Sequence, residues 1–167
     1  MCGIFGYIGH RNASSLLVRG LLRLEYRGYD SSGVVVKNGQ LQSYKDIGKI
    51  SDMASSLPNI KGSIGIAHTR WATHGGVTKE NAHPHISNDG KVAIVHNGIL
   101  QNSDALRKRL KRAGVQLNSE TDSEVFCHYI AMALEEGKEP LEALQNVLSM
   151  VRGTWGCLLY TSDAADD

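Results

Sequence analysis

Read for the spacing of its apolar residues, the chain alternates between short extended runs and amphipathic helices. Ile4, Phe5, Tyr7 and Ile8 form a short N-terminal strand, and Gly3, Gly6 and Gly9 let other backbone approach it. Residues 14–26 predict a helix that Ser14 or Ser15 can cap, with Leu17, Val18, Leu21, Leu22 and Leu24 as a broad apolar face. Val34-Val35-Val36 and Leu41-Gln42-Ser43-Tyr44 flank Asn38-Gly39, which is the pattern of a hairpin. Residues 48–57 predict a short amphipathic helix stopped by Pro58, and residues 63–69 a buried strand. A turn at Asn88-Asp89-Gly90 leads into another strand over 92–95. Three helices follow. The first covers 103–113, with Ser103 as a cap and Gly114 as the stop. The second is opened by the capping-box spacing of Thr121-Asp122-Ser123-Glu124 and runs to about residue 136, and the third is started by Pro140 and ends near Val151. Helices that alternate with strands and hairpins, without repeats or low-complexity linkers, predict one continuous α/β or α+β layered domain.

The polar residues are concentrated where these elements end. The 63–69 strand delivers His68-Thr69-Arg70-Trp71-Ala72-Thr73-His74-Gly75-Gly76, and the 92–95 strand delivers His96-Asn97-Gly98. Rigid scaffolds present chemistry at such places. Between the first helix and the hairpin, Arg27-Gly28-Tyr29-Asp30 reads as a positioned loop rather than a long floppy one.

Composition narrows the functions available. The 167 residues are 41% hydrophobic and 21% charged, as in one soluble globular domain. A net charge of +1 gives no charge-driven case for nucleic acid or an anionic membrane. No apolar run reaches membrane-spanning length, and the N-terminus lacks the profile of a secretion signal. Three cysteines, Cys2, Cys127 and Cys157, are an odd number without paired spacing, which points to a reduced, cytoplasmic setting. Arg107, Lys108, Arg109, Lys111 and Arg112 read as a solvated helix surface, because no aromatic residue interleaves them. His68, His74, His83, His85 and His96 fit no standard zinc spacing, so no metal is expected, and no phosphate loop or paired-acid site is present.

Against that background, Cys2 is the residue with the most distinctive chemistry. Removal of Met1 would give it a free α-amine beside its own thiol, and a terminal amine near ~7.7–8.0 can act as base for that thiol. An ordinary buried cysteine near a frayed end is the competing reading. Asn97-Gly98 is either a turn or a pair of donors for a developing oxyanion. Arg70 is either half of a surface salt bridge or a bidentate clamp for a carboxylate. Asp122 is either a helix cap or the partner of an ammonium group.

Taken with Cys2-Gly3-Ile4-Phe5-Gly6, five further segments carry a resemblance. They are Arg27-Gly28-Tyr29-Asp30-Ser31-Ser32-Gly33, His68-Thr69-Arg70-Trp71-Ala72-Thr73-His74-Gly75, Asn81-Ala82-His83-Pro84-His85, His96-Asn97-Gly98-Ile99 and Ser119-Glu120-Thr121-Asp122. Together they resemble the class II (N-terminal-nucleophile) glutamine amidotransferases, and within them the glutaminase domains of glutamine–fructose-6-phosphate aminotransferases (isomerizing), the glucosamine-6-phosphate synthases. The resemblance implies an α+β fold, a four-layer αββα sandwich, here truncated at its C-terminal end. It implies Cys2 as nucleophile, Asn97 and Gly98 as the oxyanion hole, Arg70 on the glutamine α-carboxylate and Asp122 on its α-amine. Trp71, Thr73 and His74 would line the glutamine pocket, with Arg27, Gly28 and His83 in support. No cofactor is implied. L-Glutamine is the implied substrate. Fructose 6-phosphate would be reached only through C-terminal sugar-isomerase domains outside this chain, and the full-length enzyme would be a homo-oligomer. A glutaminase with another acceptor, or a non-catalytic glutamine-binding relative, are the alternatives. Two departures stand out. Family members are several times longer. Residues 157–167 also do not read as the expected apolar strand entering the second sheet, so 1–156 is expected to be the domain and the tail to be foreign.

Overall fold

A computed structural model describes residues 2–72 and 75–162. Thirteen segments follow in order: β1 (Gly3–Ile8), α1 (Ala13–Leu24), a 3-10 turn (Glu25–Arg27), β2 (Ser31–Asn38), β3 (Gln40–Ile47), α2 (Ile50–Ser56), β4 (Ile64–Arg70), β5 (His85–Ile86), β6 (Val92–Leu100), α3 (Ser103–Arg112), α4 (Asp122–Glu135), α5 (Pro140–Met150) and β7 (Gly153–Thr161). The strands form two sheets, one in the order β1-β4-β2-β3 and the other β5-β6-β7, with every pairing antiparallel.

The sheets face each other, and helices cover both outer faces, which gives the expected α+β four-layer αββα arrangement. Strand alternation assigns the side chains to layers. Val34, Val36 and Ala67 point outward against Leu17 and Leu21 of α1 and Ile50 and Met53 of α2. Val35 and Ile66 point inward and meet Ala93, Val95 and Tyr160 of the second sheet. On its outer face, Val92, Ile94 and Leu100 meet Leu106, Leu110, Phe126, Ile130 and Val147 of α3–α5. A valine triplet can therefore be buried throughout, because both of its faces are covered.

Several boundaries differ from the pattern reading, each for a tertiary reason. The first helix ends at Leu24 and tightens into the 3-10 turn, and Leu22 is exposed rather than part of the apolar face. None of the expected serine caps accepts an N–H at a helix start; α1 and α3 begin after Asn12 and Asn102 without a side-chain cap bond, and the Ser15 hydroxyl instead donates to the Asn12 carbonyl. The 92–95 strand continues through His96-Asn97-Gly98 to Leu100, because β7 pairs with it along its whole length. Asn97-Gly98 is therefore not a turn. The capping box at Thr121 does not form either. The Glu124 carboxylate accepts the N–H groups of Asn118 and Ser119 and the Ser119 hydroxyl, and Thr121 Oγ1 lies 2.8 Å from His85 Nε2. Residues 157–161 also depart from expectation: they complete β7, with Leu158 against the inter-sheet core and Leu159 against the helical one.

Candidate active site

Antiparallel register brings the polar ends of the two sheets together. Gly3 pairs with Thr69, so the next step along each strand sets Cys2 against the start of the loop after Arg70. The Trp71 N–H accordingly donates to Cys2 Sγ at 3.2 Å. Across the gap, β6 presents Asn97, whose Nδ2 donates to the Cys2 carbonyl at 3.3 Å. The Asn97 Oδ1 is 2.9 Å from His68 Nε2 on β4. One asparagine thus ties the nucleophile candidate to both sheets.

Cys2, Arg27, Arg70, Trp71, Asn97, Gly98 and Asp122 line a single cavity of about 390 Å³. Gly98 has a φ of +141°, and a Cβ there would stand 2.0 Å from the Thr154 carbonyl oxygen, so only glycine fits. Gly28 has a different reason to be glycine: a Cβ would lie 3.1 Å from the Arg70 carbonyl carbon and the Trp71 nitrogen. Thr69 Oγ1 also donates to the Gly28 carbonyl, which fastens the Arg27-Gly28 turn to β4. His83 lines the cavity, but not as a free base. Its Nδ1 accepts the His96 N–H at 3.2 Å, and its ring stacks on His68 at 4.3 Å.

The charges are arranged with equal economy. Arg70 is buried and donates through Nη1 to the Gly76 carbonyl at 3.0 Å. Burial lowers its pKa, while the nearby Cys2, Asp30, Asp122 and Glu120 oppose that change. An arginine in such company stays cationic at neutral pH. Asp122 accepts the Leu100 N–H through Oδ2 at 2.7 Å and the Ser123 hydroxyl through Oδ1 at 3.4 Å. A guanidinium and a carboxylate therefore share one cavity with a thiol and an Asn amide, the set of groups that an α-amino-acid amide would meet. Burial pushes the His68 imidazole down to about 4, against the Asn97 bond that favours its charged form. Burial also takes His83 and His85 well below the ordinary histidine range. These rings are neutral at pH 7. Among the described residues, no cluster of three or more His, Cys, Asp or Glu side chains could hold a metal ion.

Four residues with no assigned role in the sequence reading hold this arrangement in place. Asp30 Oδ2 accepts the Ala72 N–H at 2.8 Å and fixes the loop beyond Trp71. Asn81 and Glu120 bond reciprocally, Nδ2 to Oε2 at 3.1 Å and N–H to Oδ1 at 2.8 Å, and join two loops beside Arg70. Arg107, read as solvated surface, donates to the Ser119 and Thr121 carbonyls at 2.8 and 2.6 Å and so clamps the turn before Asp122. No local pattern marks such partners, since each bond spans a dozen residues or more. Thr73 and His74 lie outside the described residues.

A family model described as a glutamine amidotransferase domain matches residues 68–166. The chain belongs to that family. Its glutamine amidotransferase relatives include proteins named glutamine–fructose-6-phosphate aminotransferase (isomerizing). That of Shewanella oneidensis is 44% identical over 95% of this chain and 26% of its own length. That of Thermus thermophilus is 45% identical over 98% and 27%, and that of Methanosarcina mazei 47% over 98% and 28%. The chain thus spans about a quarter of the length of these relatives. Among solved structures, a glutamine phosphoribosylpyrophosphate amidotransferase from B. subtilis complexed with ADP and GMP matches with a TM-score of 0.80. It is 31% identical and covers 97% of this chain and 35% of its own.

Proposed function

We propose that this glutamine amidotransferase domain hydrolyses L-glutamine through a thioester on Cys2. The observation that carries this is the convergence of Cys2, Asn97, Gly98, Arg70 and Asp122 on one cavity. With Met1 removed, the α-amine of Cys2 takes the thiol proton and the sulfur attacks the carboxamide carbon. The Asn97 side chain and the Gly98 N–H receive the negative charge that develops on the oxygen. The amine returns the proton to the leaving nitrogen, ammonia departs, and water then cleaves the thioester to give glutamate. Arg70 holds the α-carboxylate and Asp122 the α-ammonium, so the substrate is oriented by both charges of its backbone end. Trp71 borders the cavity, and the motif it belongs to assigns Thr73 and His74 to glutamine binding as well, with Arg27, Gly28 and His83 in support. Replacing Cys2→Ala is expected to abolish release of glutamate while leaving the fold intact; hydrolysis that survives the change would end this reading.

Fructose 6-phosphate is the acceptor we favour, giving glucosamine 6-phosphate in sugar-isomerase domains beyond this chain. The support is the 44–47% identity to the aminotransferases named above, against 31% to the phosphoribosylpyrophosphate enzyme. The full-length protein is then a homo-oligomer acting in the cytoplasm, which suits three free cysteines and the absence, among described residues, of a helix able to cross a membrane. Residues 1–156 would be the incomplete domain and 157–167 of separate origin. An apolar run forms a strand beside an open β6 edge whatever its source. Sequencing the locus past the Gly156 codon tests this, and a genomic copy reading Cys157 onward in the same frame would refute it.

A further inference from the structure

The bond between His68 and Asn97 spans the two sheets, and its polarity can be worked out. The Cys2 carbonyl is an acceptor only, so the Asn97 atom facing it at 3.3 Å must be the NH2 group. The atom facing His68 Nε2 at 2.9 Å is then Oδ1, which cannot donate. His68 Nε2 must therefore carry the proton. The imidazole is 1% exposed and lies under the His83 ring, itself fixed because its Nδ1 accepts the His96 N–H. His68 thus has neither room to turn nor a second way to satisfy Asn97.

We propose that His68 is a positioning residue whose Nε2–H locks the Asn97 amide with its NH2 group turned toward Cys2. The inference rests on the hydrolysis proposed above, in which that NH2 group receives the oxyanion. Without the lock, the amide can rotate and present Oδ1 to the developing negative charge, which replaces attraction by repulsion. His68 borders the cavity, but its Nε2–H goes to Asn97 and not to the sulfur, which receives the Trp71 N–H. Its burial, which keeps the ring neutral, also keeps a second positive charge out of the cavity beside Arg70.

The test is steady-state glutamine hydrolysis by the full-length protein and four variants. His68→Leu removes the donor and is expected to lower kcat about tenfold to a hundredfold, with KM changed by less than about threefold because the Arg70 and Asp122 contacts remain. His68→Gln keeps an N–H donor at similar reach and is expected to recover most of the loss. In the Asn97→Ala background, His68→Leu is expected to cost little more, since the group it orients is gone. Equal losses in Leu and Gln, or fully multiplicative losses in the double variant, would overturn the proposal. Should His68→Leu not fold, 15N NMR of the wild-type imidazoles decides instead: a protonated Nε2 with bare Nδ1 on His68 supports the lock, and the opposite tautomer refutes it. Loss of wild-type hydrolysis in Cys2→Ala is scored separately, so failure of the thioester reading is distinguishable from failure of this one.

Discussion

The space between the two sheets has two ends built on opposite principles. At one end Val35, Ile66, Ala93, Val95 and Tyr160 meet across the gap with little but shape to specify them. At the other, His68 on β4 meets Asn97 on β6 across the same gap through a directed bond, under the His83 ring, whose Nδ1 accepts the His96 backbone N–H. Apolar packing tolerates a similar shape in place of the original, because attraction between hydrocarbon surfaces has no direction. A buried polar seam does not, because each donor must meet an acceptor. Cavities open at both ends, but the one that Cys2 borders lies at the polar end, where the fold holds individual atoms, rather than volumes, in fixed positions.

The largest effect that separates the two ends should appear with pH. His68, His83 and His85 are neutral when folded, because burial depresses their pKa values, but would bind protons below about 6.5 once unfolded. Their contribution to stability is therefore complete above pH 6.5 and is lost as the pH falls, that of His68 running out near pH 4. His68 alone accounts for at most about 3 kcal/mol over that interval. Chemical denaturation between pH 7 and pH 4 should show a steady decline. A flat profile would mean that these histidines are not held neutral and that the seam is looser than its geometry indicates.

A smaller effect is expected from the apolar end. Ile66→Val should lower stability by about 0.5–1.5 kcal/mol and leave glutamine hydrolysis unchanged. Urea denaturation measures the first quantity and a glutaminase assay the second. A marked fall in activity would show that the two ends are mechanically joined through β4, and the comparison would have to be redrawn around that strand.

The sequence revealed the layers and the chemistry unevenly, for physical reasons. Helices α1 to α5 and the β2–β3 hairpin were legible because periodicity and turn residues are local properties. Cys2, Arg70, Asn97, Gly98 and Asp122 were legible as groups through their motifs, and the structure brings them to one cavity. Their surroundings were not. Asn97-Gly98 reads as a turn until β7 pairs with it, and Glu124 reads as half of a capping box until Asn118 and Ser119 claim its oxygens. Arg107 is one basic residue among five on its helix, and only the position of the 119–121 turn distinguishes it from the rest. Burial raises the Glu124 carboxyl, yet the bonds it receives outweigh this and hold it at about 2. No reading of neighbours along the chain finds such a balance.

The three cysteines illustrate how unequal identical side chains become once folded. Burial pushes the Cys127 thiol up, on the buried face of α4, and raises Cys157 on β7 as well. Both thiols are thereby slowed toward electrophiles, which react with the thiolate. Cys2 alone borders the cavity. A mild alkylating reagent can therefore serve as a gauge of an intact fold, because attachment confined to Cys2 requires the folded layers to keep Cys127 buried and Cys157 half-buried.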